Sequence, residues 1–218
     1  MIHLDVTWHG QSCFRLRGRN ATAVTDPFPP SLGIKLPKLE ADVVTVSHAH
    51  PGHAHVEGIV TEDVFVVEGP GEYEVKGITV FGIRAFHDAL EGAQDGSNTI
   101  YVLEVDDIRI CHLGDLGHTL DDEAVEAIGT PVDVLLVPVG GGKALAAAKA
   151  AEVVRTIEPR WVVPMHYRIP GLTLELEGVE TFLKEMGVTE AVPQPKLVVQ
   201  YSGSGDSETK VFLLEPRS

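Results

Sequence analysis

Four of the chain's ten histidines fall within eight residues: His48, His50, His53 and His55, in the run Ser47-His48-Ala49-His50-Pro51-Gly52-His53-Ala54-His55. Neutral imidazole is a good ligand for zinc and also suits iron, nickel and copper. In extended chain, residues i and i+2 point to the same side. His48 and His50 can therefore address one ion, and a turn at Pro51-Gly52 lets His53 return beside them. A metal-scavenging histidine tract would be low-complexity and solvated. This one instead follows directly on the apolar run 41–47, ADVVTVS.

Three further donors share that setting. His87 ends the run 78–86 (ITVFGIRAF), Asp115 follows 108–114 (IRICHLG), and His166 follows 161–165 (WVVPM). One polar residue past a strand is commonly just a strand end. Four such ends in one chain point to a shared site, held by rigid strands and open to a cleft.

The elements that must position these residues are legible in outline. Residues 3–8, 13–17 and 21–25 read as short strands broken by Gly or Asn. The run 41–47 reads as a strand buried on both faces. Strands follow at 64–68, 72–75 and 78–86, then a hairpin of 99–105 and 108–112 across Asp106-Asp107. After residue 119 the texture changes. Thr119 with Asp122 suggests a helix start running to 128 and stopped by Gly129. Strands are expected at 132–139 and 161–165, around an Ala-rich helix at 143–158 closed by Pro159. A helix at 178–186 ends at Gly187. Strands at 197–201 and 210–214 close the chain around a Gly/Ser-rich turn at 202–207. Sheets with helices packed outside are implied. No segment reads as a linker, so residues 1–218 are expected to form one domain.

Bulk composition narrows the partners. Seventeen basic against thirty-two acidic residues give a net charge of −15. Such a chain repels a phosphate backbone, which disfavours nucleic acid. A small anionic substrate stays admissible, because a bound divalent cation reverses the local field. The two cysteines, Cys13 and Cys111, sit in apolar runs and are expected as buried thiols. No leader opens the sequence and no apolar run reaches the ~18 residues of a membrane span, so the expected location is the cytoplasm. A homo-oligomer is left open.

Together these residues resemble the metallo-β-lactamase superfamily, whose hallmark is H-x-H-x-D-H after a buried strand, then a distant His, an Asp and a last His. The resemblance spans nearly the whole chain and is closest to the small UPF0173/UlaG-like branch. It is carried also by Thr7-Trp8-His9-Gly10-Gln11-Ser12-Cys13-Phe14, Asp26-Pro27-Phe28, Gly71-Glu72-Tyr73-Glu74-Val75-Lys76-Gly77, His112-Leu113-Gly114-Asp115 and Pro164-Met165-His166-Tyr167. It implies an α/β fold of the α+β kind, a four-layer αββα sandwich with the metal site at one edge between the sheets. By motif, His48, His50 and His87 would form a first metal site. His53 and His166 would belong to a second, and Asp115 would bridge the two. Asp26 would support the site from behind. The chain departs from the motif at Gly52, which stands where the family has aspartate.

The chemistry implied is hydrolysis. A divalent ion lowers the pKa of bound water from 15.7 to roughly 7 and polarises a carbonyl or phosphoryl oxygen. Zinc is the expected ion, with manganese, nickel or iron as alternatives, in one or two copies. The expected substrate is an ester-like bond, a lactone or phosphoester of a small anionic metabolite, with Asp115 and His53 as catalytic residues. Proton handling could fall to His53, His55, Asp88, His112 or His118, although each reads more simply as a supporting group. Gly140-Gly141-Gly142 reads as a strand-to-helix turn, or a phosphate cradle. Gly52 motivates an alternative: a weak or inactive relative that binds metal and a small anionic ligand. Di-iron redox chemistry ranks below both.

Overall fold

Polarity alternates along the first strands because one side of each must meet a second sheet. In β1 (His3–Gly10), Leu4, Val6 and Trp8 are fully buried, and β2 (Cys13–Arg17) buries Phe14 and Leu16 on the same face. In the computed structural model, which describes residues 3–88, 90, 92–94, 96–200 and 208–217, these strands open a six-stranded sheet. Its further members are β3 (Thr22–Thr25), β4 (Val43–Val46), β5 (Phe65–Glu68) and β12 (Leu197–Gln200), in the order β12-β1-β2-β3-β4-β5. The β3–β4–β5 part is parallel.

The second sheet has seven strands in the order β13-β11-β10-β9-β8-β7-β6. Here β6 (Gly71–Val75), β7 (Ile78–Phe86), β8 (Ser97–Val105) and β9 (Ile108–His112) form an antiparallel meander. Then β10 (Val134–Pro138), β11 (Trp161–Met165) and β13 (Lys210–Val211) continue it in parallel from β9. The β8–β9 turn is at Asp106-Asp107, both at positive φ, 50° and 60°, as a two-residue hairpin of this twist demands. One apolar core joins the inner face of the first sheet to the second sheet and its helices.

Helix α2 (Ala147–Ile157) buries Ala147, Ala150, Ala151, Val154 and Ile157, a helical stripe that packs on β10 and on α3 (Glu180–Glu185). It starts later than expected, because Gly141 and Gly142 at φ 68° and 69° hold residues 141–146 in a turn. Ala148 falls on its exposed face. Helix α1 (Asp122–Ile128) is capped by Asp121, not Thr119: the Asp121 carboxylate accepts from Ala124 N at 2.8 Å, satisfying an otherwise orphaned amide. The outer face of the first sheet carries Cys13, Val24, Val44 and Val46. It is covered by residues 28–59, whose helical turns are 3-10, among them Pro30–Leu32 and Val56–Gly58. The sandwich is thus an α/β one with its α-helices weighted to the second sheet. Both cysteines are buried and free. The expected turn at 202–207 and the strand end at Tyr201 lie outside the described residues. No helix among the described residues is long and apolar enough to cross a membrane.

The sheets are tied where the site lies. Thr99 N on β8 donates to Ser47 O at 2.8 Å. The buried Tyr101 hydroxyl lies 2.9 Å from Val46 O and accepts from Gly69 N at 2.9 Å. This pins the end of β4, and the histidines after it, against the second sheet.

Candidate metal centre

The site residues follow strand after strand at one edge. Asp26 follows β3, His48 follows β4, His87 follows β7, Asp115 follows β9 and His166 follows β11. These strands all present their carboxyl ends to that edge, the usual side for ligands in sheets with parallel strands. Strand pairing therefore sets the spacing, and local turns set the aim. His50 N donates to His48 O at 2.8 Å and His53 N to His50 O at 2.9 Å, so the His-rich run is a tight bend rather than extended chain.

Asp115 is the focus. Its Oδ2 lies 3.1 Å from His53 Nε2, 3.2 Å from His166 Nε2, 3.4 Å from His87 Nε2 and 3.9 Å from His48 Nε2. Its backbone N–H donates to Asn98 Oδ1 at 3.0 Å, and the Asn98 amide donates to Leu113 O at 2.9 Å. Ser12 Oγ reaches Asp115 Oδ1 at 3.4 Å.

The far nitrogens of three of these rings are held. His53 Nδ1 is 2.9 Å from Asp26 Oδ2, and His87 Nδ1 is 3.0 Å from Lys143 O. His48 Nδ1 is 2.9 Å from Ser47 Oγ, which itself donates to Asp26 Oδ2 at 2.6 Å. Acceptors behind Nδ1 place a proton there and leave Nε2 as the atom offered to an ion. His48 Nε2 is buried without a hydrogen-bond partner among the described residues, an expensive state for a polar atom unless an ion takes it.

Charge follows geometry. Burial alone would lower the pKa of His53, but Asp115 and Asp26 on its two nitrogens outweigh it and raise it to about 10. Burial, then the neighbouring His53 charge, pushes His48 down to about 4. Burial would raise Asp115, yet His166 and His53 hold it well below the usual carboxylate range. Asp26 is likewise held low against burial, first by His53.

Among the described residues three groups of donors lie close enough to share an ion, each within 4.8 Å: His48, His50 and His53; His48, His87 and Asp115; His53, Asp115 and His166. All six predicted ligands are brought together. The partition differs from expectation in one respect: exposed His50 is grouped with His48 and His53 and not with His87. The donor set, imidazoles plus a carboxylate, suits a divalent transition ion.

The other predicted proton handlers are each engaged away from the shared Asp115 oxygen. His112 is fully buried, its Nε2 2.9 Å from Ser12 O and its Nδ1 accepting from Gly114 N at 3.2 Å. His118 Nε2 accepts from Phe86 N at 3.3 Å. Asp88 gathers the backbone N–H groups of Leu90, Gly92 and Gln94. His55 reaches Glu57 at the surface. Tyr167 packs on Trp8, ring centroids 5.0 Å apart. The triple glycine makes the expected turn, and Gly142 also lines the site.

A cavity of about 410 Å³ opens over the cluster. Its lining includes Gln11, Leu32, Lys143, Leu174 and Leu176 beside the histidines. Sequence reasoning assigned none of these five a role. Nor did it single out Ser12, Ser47 or Asn98. The one available signal was the polar Gln11-Ser12 pair interrupting two apolar strands.

Comparison with known proteins agrees with the geometry. Residues 5–166 match the model of the beta-lactamase superfamily domain. A UPF0173 metal-dependent hydrolase of Thermococcus onnurineus is 29% identical over 190 residues, covering 75% of this chain and 84% of that protein. Another, of Methanoculleus marisnigri, is 31% identical over 197 residues, covering 80% and 86%. A crystal structure from Thermotoga maritima, described as a candidate Zn-dependent hydrolase of the metallo-beta-lactamase superfamily, is 37% identical with a TM-score of 0.77, covering 97% and 98% of the two chains. The chain belongs to the metallo-β-lactamase superfamily, in its UPF0173 metal-dependent hydrolase branch.

Proposed function

We propose that this hydrolase, acting as one domain over residues 1–218, cleaves an ester-like bond in a small anionic metabolite, a lactone or a phosphoester. We assign a divalent ion, zinc first, to His48, His50, His53, His87, Asp115 and His166. The observation that carries this is the convergence of four imidazole Nε2 atoms on one carboxylate oxygen of Asp115. When bound, such an ion supplies a Lewis acid and lowers the pKa of water.

The chain's own residues do the rest. Asp26 fixes His53 directly and His48 through Ser47, so two donors are preset before an ion arrives. Asn98 fixes the direction of Asp115. Asp115 and His53 are the pair through which a proton would move, being 3.1 Å apart. Lys143, at the cavity mouth, supports an anionic substrate despite the chain's net charge of −15, since a local cation outweighs screened distant charge.

Gly52 favours a second reading, a metal-binding relative with little turnover. The group His53, Asp115 and His166 nevertheless retains three donors, the number that catalytic zinc sites use while keeping one position open. A side chain also fits at Gly52, whose Cβ would meet only His50 Nδ1 at 3.5 Å and Leu32 Cδ1 at 3.6 Å. Gly52→Asp is expected to tighten binding of a second ion, read by metal titration. Elemental analysis of natively purified protein, with assays on lactone and phosphodiester panels, tests the main reading. Turnover lost in Asp115→Asn supports hydrolysis. Bound metal with no turnover on either panel favours the binding role.

A further inference from the structure

Of the four imidazoles that converge on Asp115, three have a partner behind Nδ1: Asp26 for His53, Lys143 O for His87 and Ser47 Oγ for His48. His166 is built differently. Its Nε2 lies 3.2 Å from Asp115 Oδ2, but its Nδ1 is buried with no hydrogen-bond partner among the described residues. A ligating ring is normally oriented by such a partner. Something else must orient this one.

The main chain is placed to do so. His166 has φ of 50°, a left-handed conformation that a residue with a Cβ keeps only where its surroundings over-determine it. Its N–H and its carbonyl are both held, and from different sheets. The N–H donates to Gln11 O, in the turn between β1 and β2, at 3.1 Å. The carbonyl accepts from Gly140 N, just past β10, at 2.9 Å. Gln11 O is itself located by the Trp8 indole, which donates to it at 3.0 Å. Gly140 admits the close approach because it has no side chain: a Cβ there would collide with His166 O and lie 2.8 Å from Tyr167 Cα. Its own φ is outside the left-handed region, unlike those of Gly141 and Gly142 at 68° and 69°. The three glycines therefore divide. The last two make the turn, and the first receives His166.

We propose that the protein aims His166 through its main chain, with Gly140 and Trp8 as the positioning residues. The clamp sets the Cα–Cβ direction of His166, and with it the reach of Nε2 toward an ion shared with His53 and Asp115. This rests on the assignment of a metal to these donors, and it concerns how one donor is held rather than what is cleaved.

The test is zinc affinity, read by competition with a chromophoric chelator, in the native chain, Gly140→Ala and Val154→Ala. Val154 is a buried residue of α2, and its truncation costs stability by leaving a cavity. Gly140→Ala should weaken zinc binding at least about tenfold, and Val154→Ala by less than about twofold. In a His166→Ala background, Gly140→Ala should change affinity by less than about twofold, because its effect travels through His166. An unchanged affinity in Gly140→Ala overturns the proposal. So does an equal loss with and without His166, or the same loss in Val154→Ala, since Gly140 would then be a general support. If His166→Ala binds zinc too weakly to titrate, the comparison with Val154→Ala decides. If Gly140→Ala does not fold, Trp8→Phe replaces it, keeping an aromatic ring and removing the indole donor. Its expected loss is about three- to tenfold, with the same overturning outcomes. A native chain that binds no zinc refutes the metal assignment. Zinc binding indifferent to these variants refutes only this inference.

Discussion

Asp26 shows how much a single buried residue can organise. It has no exposed surface and sits at φ 40°. It accepts from Ser47 N at 2.8 Å, from Ser47 Oγ at 2.6 Å, and lies 2.9 Å from His53 Nδ1. Asp26→Asn would turn one acceptor into a donor facing groups that already donate. Metal affinity should fall by roughly 10- to 100-fold, the usual cost of losing such support. Competition with a chromophoric chelator measures it, and an unaltered affinity would remove Asp26 from the assembly of the site. The same network makes loading a proton exchange. In the metal-free protein His53 is raised from 6.5 to about 10, Asp115 and Asp26 outweighing burial. An ion that takes its Nε2 must displace the proton. Loading at pH 7 should therefore release the His53 proton and a share from His87, which burial would lower but Asp115 raises, seen by calorimetry in buffers of different ionisation enthalpy. The sign for stability follows: a raised imidazole stabilises fully below 6.5 and loses that contribution as pH climbs through about 10, so the chelated protein should melt earlier at pH 10 than at pH 7. A melting temperature flat over that window contradicts the charged His53.

Strand ends deliver these residues, and glycines hold the close approaches there, Gly114 among them. Gly114 has φ 57°, and a Cβ there would collide with Asn98 Oδ1, the atom that holds Asp115 N. Gly114→Ala should cost about 2–4 kcal/mol in strain and displacement. That lowers the melting temperature by roughly 5–15 °C, with metal affinity falling alongside. Gly77→Ala is the control: φ is 82°, but nothing lies within 4 Å of its Cβ. It should cost only about 1 kcal/mol and leave metal binding unchanged. Equal effects of the two would mean that the approach to Asn98 is not what matters. The contrast also explains what could be read beforehand. Apolar runs ending in His48, His87, Asp115 and His166 announced themselves because burial writes hydrophobicity into strands. Asn98, Ser47 and Ser12 did not, because each is a common polar residue whose role exists only through a partner far along the chain: Asn98 is 17 residues from Asp115, and Ser12 is 103. Leu32 and Leu174 looked like ordinary loop leucines until the fold brought their loops together. The bend at His50 was hidden for a different reason: a strand-like periodicity was extended two residues past the point where backbone bonding changes.

Across the whole molecule the centre acts as a clasp. His48, His50 and His53 belong to the connection leaving β4 in the first sheet, whereas His87, Asp115 and His166 leave strands of the second. Any ion shared between the groups joins the two halves of the sandwich at the edge where Thr99 and Tyr101 already tie them. Without an ion, that edge holds a set of mutually close imidazoles around one carboxylate, with His48 Nε2 unmet among the described residues. A ligand bound only by the folded state stabilises it by about 2.7 kcal/mol at a hundredfold excess over its Kd. For a chain of this size that is a rise of roughly 5–11 °C in melting temperature. Stripping the metal with a chelator should lower the melting point by this amount, and readdition should restore it. The His48→Ala/His166→Ala double variant, lacking a donor from each sheet, should melt at a temperature that the chelator no longer changes. If the native protein carries stoichiometric metal and yet melts identically with and without chelator, the ion does not bridge the sheets, and the three donor groups must be assigned to separate, weaker sites.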